Sequence, residues 1–140
     1  MSVLLDGLTM KVIDVAVAIF RNSDGEVLIN ERLGDDIHSG HWEFPGGKFE
    51  DKETPQQALV RECREELGVV VTQCSPLMTF THAYPSKKVR LHVFLVNSYD
   101  NEPQSLEGQP LRWVQVKGLK AQNLLPADIA IIHALESSHY

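Results

Sequence analysis

The apolar positions change period along the chain, and each change marks an element. Over 12–20, VIDVAVAIF, Val, Ile and Ala occupy both alternating faces, which predicts a strand buried on both sides and central in its sheet. Asn22-Ser23-Asp24-Gly25 is a turn signal, so 26–30 is expected to return as the second strand of a hairpin. Residues 33–40 are polar or small and form a loop, with Arg32 just before it. Trp42-Glu43-Phe44-Pro45 is a short extended piece that delivers a Gly46-Gly47 loop. Farther on, 69–72 and 77–82 read as strands. Leu91, Val93 and Leu95 alternate on one face of 89–96, and 87–99 forms a long hairpin arm after the Tyr84-Pro85-Ser86 turn. A polar loop, 100–109, separates this arm from a last strand at 113–116.

Between the strands the period shifts to that of a helix. Thr54 with Gln57 makes a capping box and Pro55 occupies the first helical position, where its missing N–H costs nothing. Gly68 followed by Val69 has the composition of a left-handed cap, so the helix runs from Pro55 to about Leu67. Leu59, Val60, Cys63 and Leu67 form its core-facing stripe. Pro126 opens a second helix with Asp128 in its first turn, and Ile129, Ile132, His133 and Leu135 are expected on the buried face. Strands interleaved with two helices predict an α/β domain whose helices cover a mixed sheet. Residues 1–9 carry no pattern and read as a flexible leader, with Met10 as an alternative start; 10–140 reads as a single domain.

Charge narrows the function. With 13 Lys and Arg against 19 Asp and Glu, and no basic run longer than Lys87-Lys88, the chain offers no broad surface for a nucleic acid polymer or a membrane. A small basic pocket for phosphates remains compatible with it. The first residues show no basic region followed by an apolar run, and nowhere are there eighteen apolar residues in a row, so a cytoplasmic location is expected. Cys63 and Cys74 have neither a metal nor a disulfide-framework spacing and read as buried thiols of a reducing compartment.

Glu62, Glu65 and Glu66 stand three and four apart, so their like charges crowd one side of the first helix. Arg61 can pair with Glu65 across one turn and orient or relieve the cluster. Taken alone, this is either a solvated acidic face or a row of hard oxygen ligands for Mg²⁺ or Mn²⁺. The wider spacing separates the two. Gly47, five residues, Glu53, seven residues, then Arg61-Glu62-Cys63-Arg64-Glu65-Glu66-Leu67-Gly68-Val69 matches G-x5-E-x7-R-E-U-x-E-E-x-G-U, with Cys63 a small residue at an apolar position. The chain therefore resembles the Nudix hydrolases. LINERLGDDIHSGHWEFPGGKFEDKETPQQALVRECREELGV, EGQPLRWVQVKGL and LLPADIAII are similar to the corresponding MutT-type segments, over nearly all of 12–135.

That resemblance implies an α/β/α sandwich and a Mg²⁺-dependent nucleoside triphosphate pyrophosphohydrolase. The implied substrate is 8-oxo-dGTP, hydrolysed to the monophosphate and pyrophosphate, which cleanses the nucleotide pool and avoids mutation. It also implies metal binding by the Gly46 carbonyl, Glu62, Glu65, Glu66 and Glu107, with Glu62 as base, Arg32 on a substrate phosphate, and Phe44 with the backbone of Glu43, Pro45 and Gly46 at the nucleobase. Lys87 or Lys88 is a candidate phosphate contact, and His38 a candidate from its loop; the other histidines show no ligand spacing. Asp128 stands where the pattern has a base-reading asparagine. An ionised aspartate only accepts hydrogen bonds, which suits the amine of cytosine or the N–H groups of oxidised guanine. A CTP or modified-dCTP pyrophosphohydrolase is thus the alternative, and a non-catalytic Nudix sensing module the alternative from another class. The expected partner is a small nucleotide, and the expected state a monomer.

Overall fold

A computed structural model describes residues 11–137. The expected leader and His139 lie outside the described residues. The strands are β1 (Val12–Phe20), β2 (Glu26–Glu31), β3 (Trp42–Glu43), β4 (Gly46–Lys48), β5 (Val70–Tyr84), β6 (Lys87–Asp100) and β7 (Leu111–Gln115), with helices α1 (Pro55–Leu67) and α2 (Ile129–Glu136). They form two sheets, β4-β1-β6-β5 and β3-β2-β7. β1 runs parallel to β6 and antiparallel to β4, so the larger sheet is mixed, as expected.

β1 is central because its two sets of side chains feed two cores. Val17 and Ile19 join Val27, Ile29, Val93 and the α2 residues Ile131, Ile132 and Leu135. Ala16, Ala18 and Phe20 join Leu28, Phe94 and the α1 residues Ala58, Leu59, Cys63 and Leu67. Burying each large apolar side chain contributes roughly 1.5–3 kcal/mol. One helix on each outer face gives the α/β/α sandwich. Among the described residues no helix is long and apolar enough to cross a membrane.

α1 follows its local signals. Thr54 accepts from the Gln57 N–H at 3.2 Å while the Gln57 side chain accepts from Thr54 N–H at 3.0 Å. Gly68 closes the helix at φ 68°, a left-handed conformation that favours glycine. Ala58 joins the buried stripe and Val60 is only half-buried.

Several expectations are overturned. β2 is not the hairpin partner of β1: past the Asn22–Gly25 turn only the isolated bridge Arg21–Val27 forms, and the chain crosses to the other sheet. Gly46-Gly47 is a short strand on β1 rather than a loop. The two strands expected at 69–72 and 77–82 are one, β5, carried through register shifts near Gln73 and Pro76. An edge strand tolerates such bulges and a proline. In α2, Ile129 and His133 are exposed and Ile131 is buried instead. The 3₁₀ turn Pro126–Asp128 that precedes α2 rotates its phase. Cys74 is only half-buried, whereas Cys63 is buried.

Candidate active site

β4 lies along α1, and its glycines set the distance. A Cβ on Gly47 would stand 2.5 Å from the Glu62 carboxylate, so the bare backbone makes room for that side chain. Gly46, at φ 151°, leaves no space for a side chain against the Ala16 carbonyl. Arg61 organises the neighbouring carboxylates. It reaches Glu53 at 2.6 Å, Glu62 at 2.8 Å and Glu65 at 3.1 Å, and donates to the Lys48 carbonyl at 2.9 Å. Glu53 in turn accepts from the Glu50 N–H at 2.7 Å, so the loop before α1 holds the arginine in place. That role for Glu53 was legible only as a fixed spacing.

Glu66 is the perturbed member of the row. Burial, then the charges of Glu62, Glu107 and Glu43, push its carboxyl up to about 9, and a backbone hydrogen bond from Gly46 offsets only part of this. Glu107 comes from the 101–110 loop, which is pinned to the end of α1 by Leu106 N–H to the Glu66 carbonyl (3.1 Å) and Gln104 N–H to the Leu67 carbonyl (2.9 Å). The structure thus brings Glu62 and Glu107 each within electrostatic reach of Glu66. Glu65 faces solvent, engaged by Arg61.

Beside the Gly46-Gly47 strand opens a cavity of about 160 Å³. Arg32, His38, Glu43, Phe44, Gly46, Lys87 and Asp128, all singled out from sequence, line it. Pro45 does not; its carbonyl accepts the Ala18 N–H at 2.8 Å. Lys88 is exposed and outside the lining. The apolar wall from Val15, Val17, Leu91 and Leu125, together with Lys48 and Tyr84, was not foreseen. Tyr84 was marked only as the start of a turn, although its ring meets His38 at 5.5 Å and Lys87 Nζ lies 5.8 Å from its centroid. Arg32 is shared between Asp36 at 3.2 Å and Glu43 at 3.6 Å. Burial pushes the Glu43 carboxyl up. Asp128, 4% exposed, is raised well above the usual carboxylate range by burial and then by Glu43.

Unpaired polar atoms indicate the chemistry that the site can bind. Among the described residues the buried side-chain polar atoms without a hydrogen-bond partner are Arg32 Nε, His41 Nδ1, Glu66 Oε2 and Asp128 Oδ2. Leaving such a group unmade costs about 1–3 kcal/mol. A ligand that offers an acceptor to Arg32, a polar edge to Asp128 and a cation to Glu66 would satisfy three of them at once.

The donor set fits a hard divalent cation, since every candidate ligand is an oxygen. Among the described residues no three His, Cys, Asp or Glu form a ready-made metal cage. Mg²⁺-like ions do not need one, because they keep several waters and take only one or two carboxylates with substrate phosphates.

Comparison with known proteins identifies the framework. The NUDIX domain family matches residues 16–134. An 8-oxo-dGTP diphosphatase of Escherichia coli K12 is 38% identical over 127 residues, 91% of this chain and 98% of that protein. A CTP pyrophosphohydrolase of the same organism is 36% identical over 125 residues, 89% of this chain and 92% of that protein. A MutT structure from work on Aliivibrio salmonicida and Vibrio cholerae aligns with a TM-score of 0.78 at 33% identity, covering 91% of this chain and 100% of that one. Nudix hydrolases act on small nucleotide substrates and need a divalent metal. The match takes in all of α1, most of α2 and of β1, and the loop bearing Glu107, and the chain belongs to the Nudix hydrolase family.

Proposed function

We propose that the protein hydrolyses 8-oxo-dGTP to the monophosphate and pyrophosphate, with Mg²⁺ (Mn²⁺ able to substitute) held by the Gly46 carbonyl, Glu62, Glu65, Glu66 and Glu107. When bound there, a divalent cation would supply positive charge to the polyphosphate and would acidify a water. Glu62 would take the proton of an attacking water as the bridging P–O bond between the monophosphate and pyrophosphate parts breaks, the bridge oxygen leaving with one of them. Arg61, 2.8 Å from Glu62, orients this carboxylate. Arg32 and Lys87, both at the cavity wall, bind phosphate oxygens, with Lys48 beside them. Phe44 and the apolar wall exclude water from the base, and His38 on Tyr84 closes the side of the cavity.

The observation that carries the choice of base is Asp128, buried with Oδ2 unpaired. A neutral carboxyl has one O–H to give and another oxygen to accept with, the pair an asparagine offers. Oxidised guanine presents an acceptor at O6 beside a new N–H at N7, where ordinary guanine has two acceptors. The expectation of an ionised, accept-only Asp128 is replaced by this reading. Cytosine also sets a donor amine beside an acceptor nitrogen, and the CTP pyrophosphohydrolase relative favours that second reading. Acting on free nucleotides, the protein works as a cytoplasmic monomer in nucleotide-pool sanitation. Pyrophosphate release from a panel of canonical and oxidised triphosphates tests the assignment. The highest kcat/KM is expected for 8-oxo-dGTP; a profile led by CTP or a modified dCTP selects the second reading.

A further inference from the structure

Gln109 is one of three buried polar side chains among the described residues, with Asn30 and Asp128, and it is 5% exposed. Three of the four hydrogen-bonding capacities of its amide are used. Nε2 donates to the Glu66 carbonyl at 3.1 Å, and Oε1 accepts from the Glu107 N–H at 3.0 Å and from Ser105 Oγ at 3.0 Å. The orientation of the amide is forced, because a backbone N–H can only donate and a carbonyl can only accept. The Glu66 carbonyl belongs to the last turn of α1, where helix carbonyls lack intrahelical partners. Next in sequence, Pro110 is fixed to the other sheet through its carbonyl, which accepts the Glu31 N–H at 3.0 Å. Gln109 is therefore held from behind while its side chain joins two segments that each carry a carboxylate.

We infer that Gln109 is a positioning residue for the metal centre: its buried amide ties the backbone of Glu107 to that of Glu66, and so sets the separation at which those two carboxylates meet the cation. This rests on the reading that Glu66 and Glu107 hold the divalent ion. The Glu107 side chain is exposed on a ten-residue polar loop, 101–110, and nothing in its own side-chain packing fixes it. The crosslink runs through the backbone of both acids, so the tie leaves the carboxylate oxygens free for the ion.

The test uses Mn²⁺ alone as the probe, titrated into the nucleotide-free protein and followed by electron paramagnetic resonance. Gln109→Leu, close in volume and unable to hydrogen-bond, is expected to weaken Mn²⁺ binding about 10- to 100-fold, the range seen when a group supporting a metal ligand is removed. Glu107→Gln should show a comparable loss. The double variant should be little weaker than either single one, because Gln109 acts through Glu107. Amide hydrogen exchange at Glu107 should also rise in metal-free Gln109→Leu. Gln109→Asn, which keeps an amide but is one methylene too short to span both segments, reads the same effect if the leucine variant does not fold. Wild-type Mn²⁺ affinity in a folded Gln109 variant, or losses that simply add in the double variant, overturns the inference while leaving the metal site standing. Wild-type affinity in Glu107→Gln instead overturns the assignment of Glu107, and the inference with it.

Discussion

Glu66 holds a buried oxygen that no donor reaches, and the sign of its shift has a consequence for stability. A carboxyl whose folded pKa is raised costs the fold nothing while the unfolded chain is also protonated, below about 4.5, and costs progressively more as pH rises toward about 9. Metal-free protein should therefore lose stability between pH 5 and 8, and divalent cation should restore it. Glu66→Gln should flatten that dependence in denaturant melts, raising metal-free stability at pH 8 by about 1–3 kcal/mol. The same change should lower hydrolysis by more than about 100-fold, beyond the 10- to 100-fold typical of groups that only support a ligand. Asp128 gives a second test. Its raised pKa means that the proton it would donate to a base is lost as pH rises through the folded value. KM for 8-oxo-dGTP should then climb as pH rises through that value in the wild type but stay level in Asp128→Asn, which cannot ionise. Single residues were legible where chemistry fixes spacing, as for Glu62 and Glu66. They were not where only three-dimensional proximity matters: nothing local marks Tyr84 as a cavity wall.

At the level of elements, α1 could be read to the residue because its signals are local: a cap, a proline and a glycine act on their own turn of chain. Thr54→Ala should cost about 1 kcal/mol in chemical denaturation with little change in kcat, since it removes the cap and leaves the acids in place. Gly47→Ala should do the reverse. A methyl 2.5 Å from the Glu62 carboxylate must displace it, and kcat should fall roughly 100-fold while the melting transition moves little. The β1–β2 connection misled for a physical reason. Asn22 Oδ1 accepts from the Asp24 and Glu26 N–H groups and so reverses the chain, but a turn fixes direction without fixing which sheet receives the next strand. The phase of α2 was misread because a 3₁₀ turn advances more per residue than an α-helix.

Over the whole molecule, the two cores meet at β1, and the site lies where β4, α1 and the 101–110 loop converge on that strand. The sandwich was legible because β1 is apolar on both alternating sets, which requires a layer on each side. The convergence of Glu107 with α1 was legible only through the family resemblance, since the loop joins the helix through backbone and amide bonds that leave no periodic trace. An intact carboxylate set also separates an enzyme from a sensing module, which would bind nucleotide with the cation removed and release no product. The most direct test is product analysis by phosphorus NMR of 8-oxo-dGTP incubated with wild-type protein, with Mg²⁺ and again with chelator. Equal amounts of 8-oxo-dGMP and pyrophosphate are expected with Mg²⁺ and neither with chelator; turnover that persists in chelator, or orthophosphate with a diphosphate as products, would overturn the assignment.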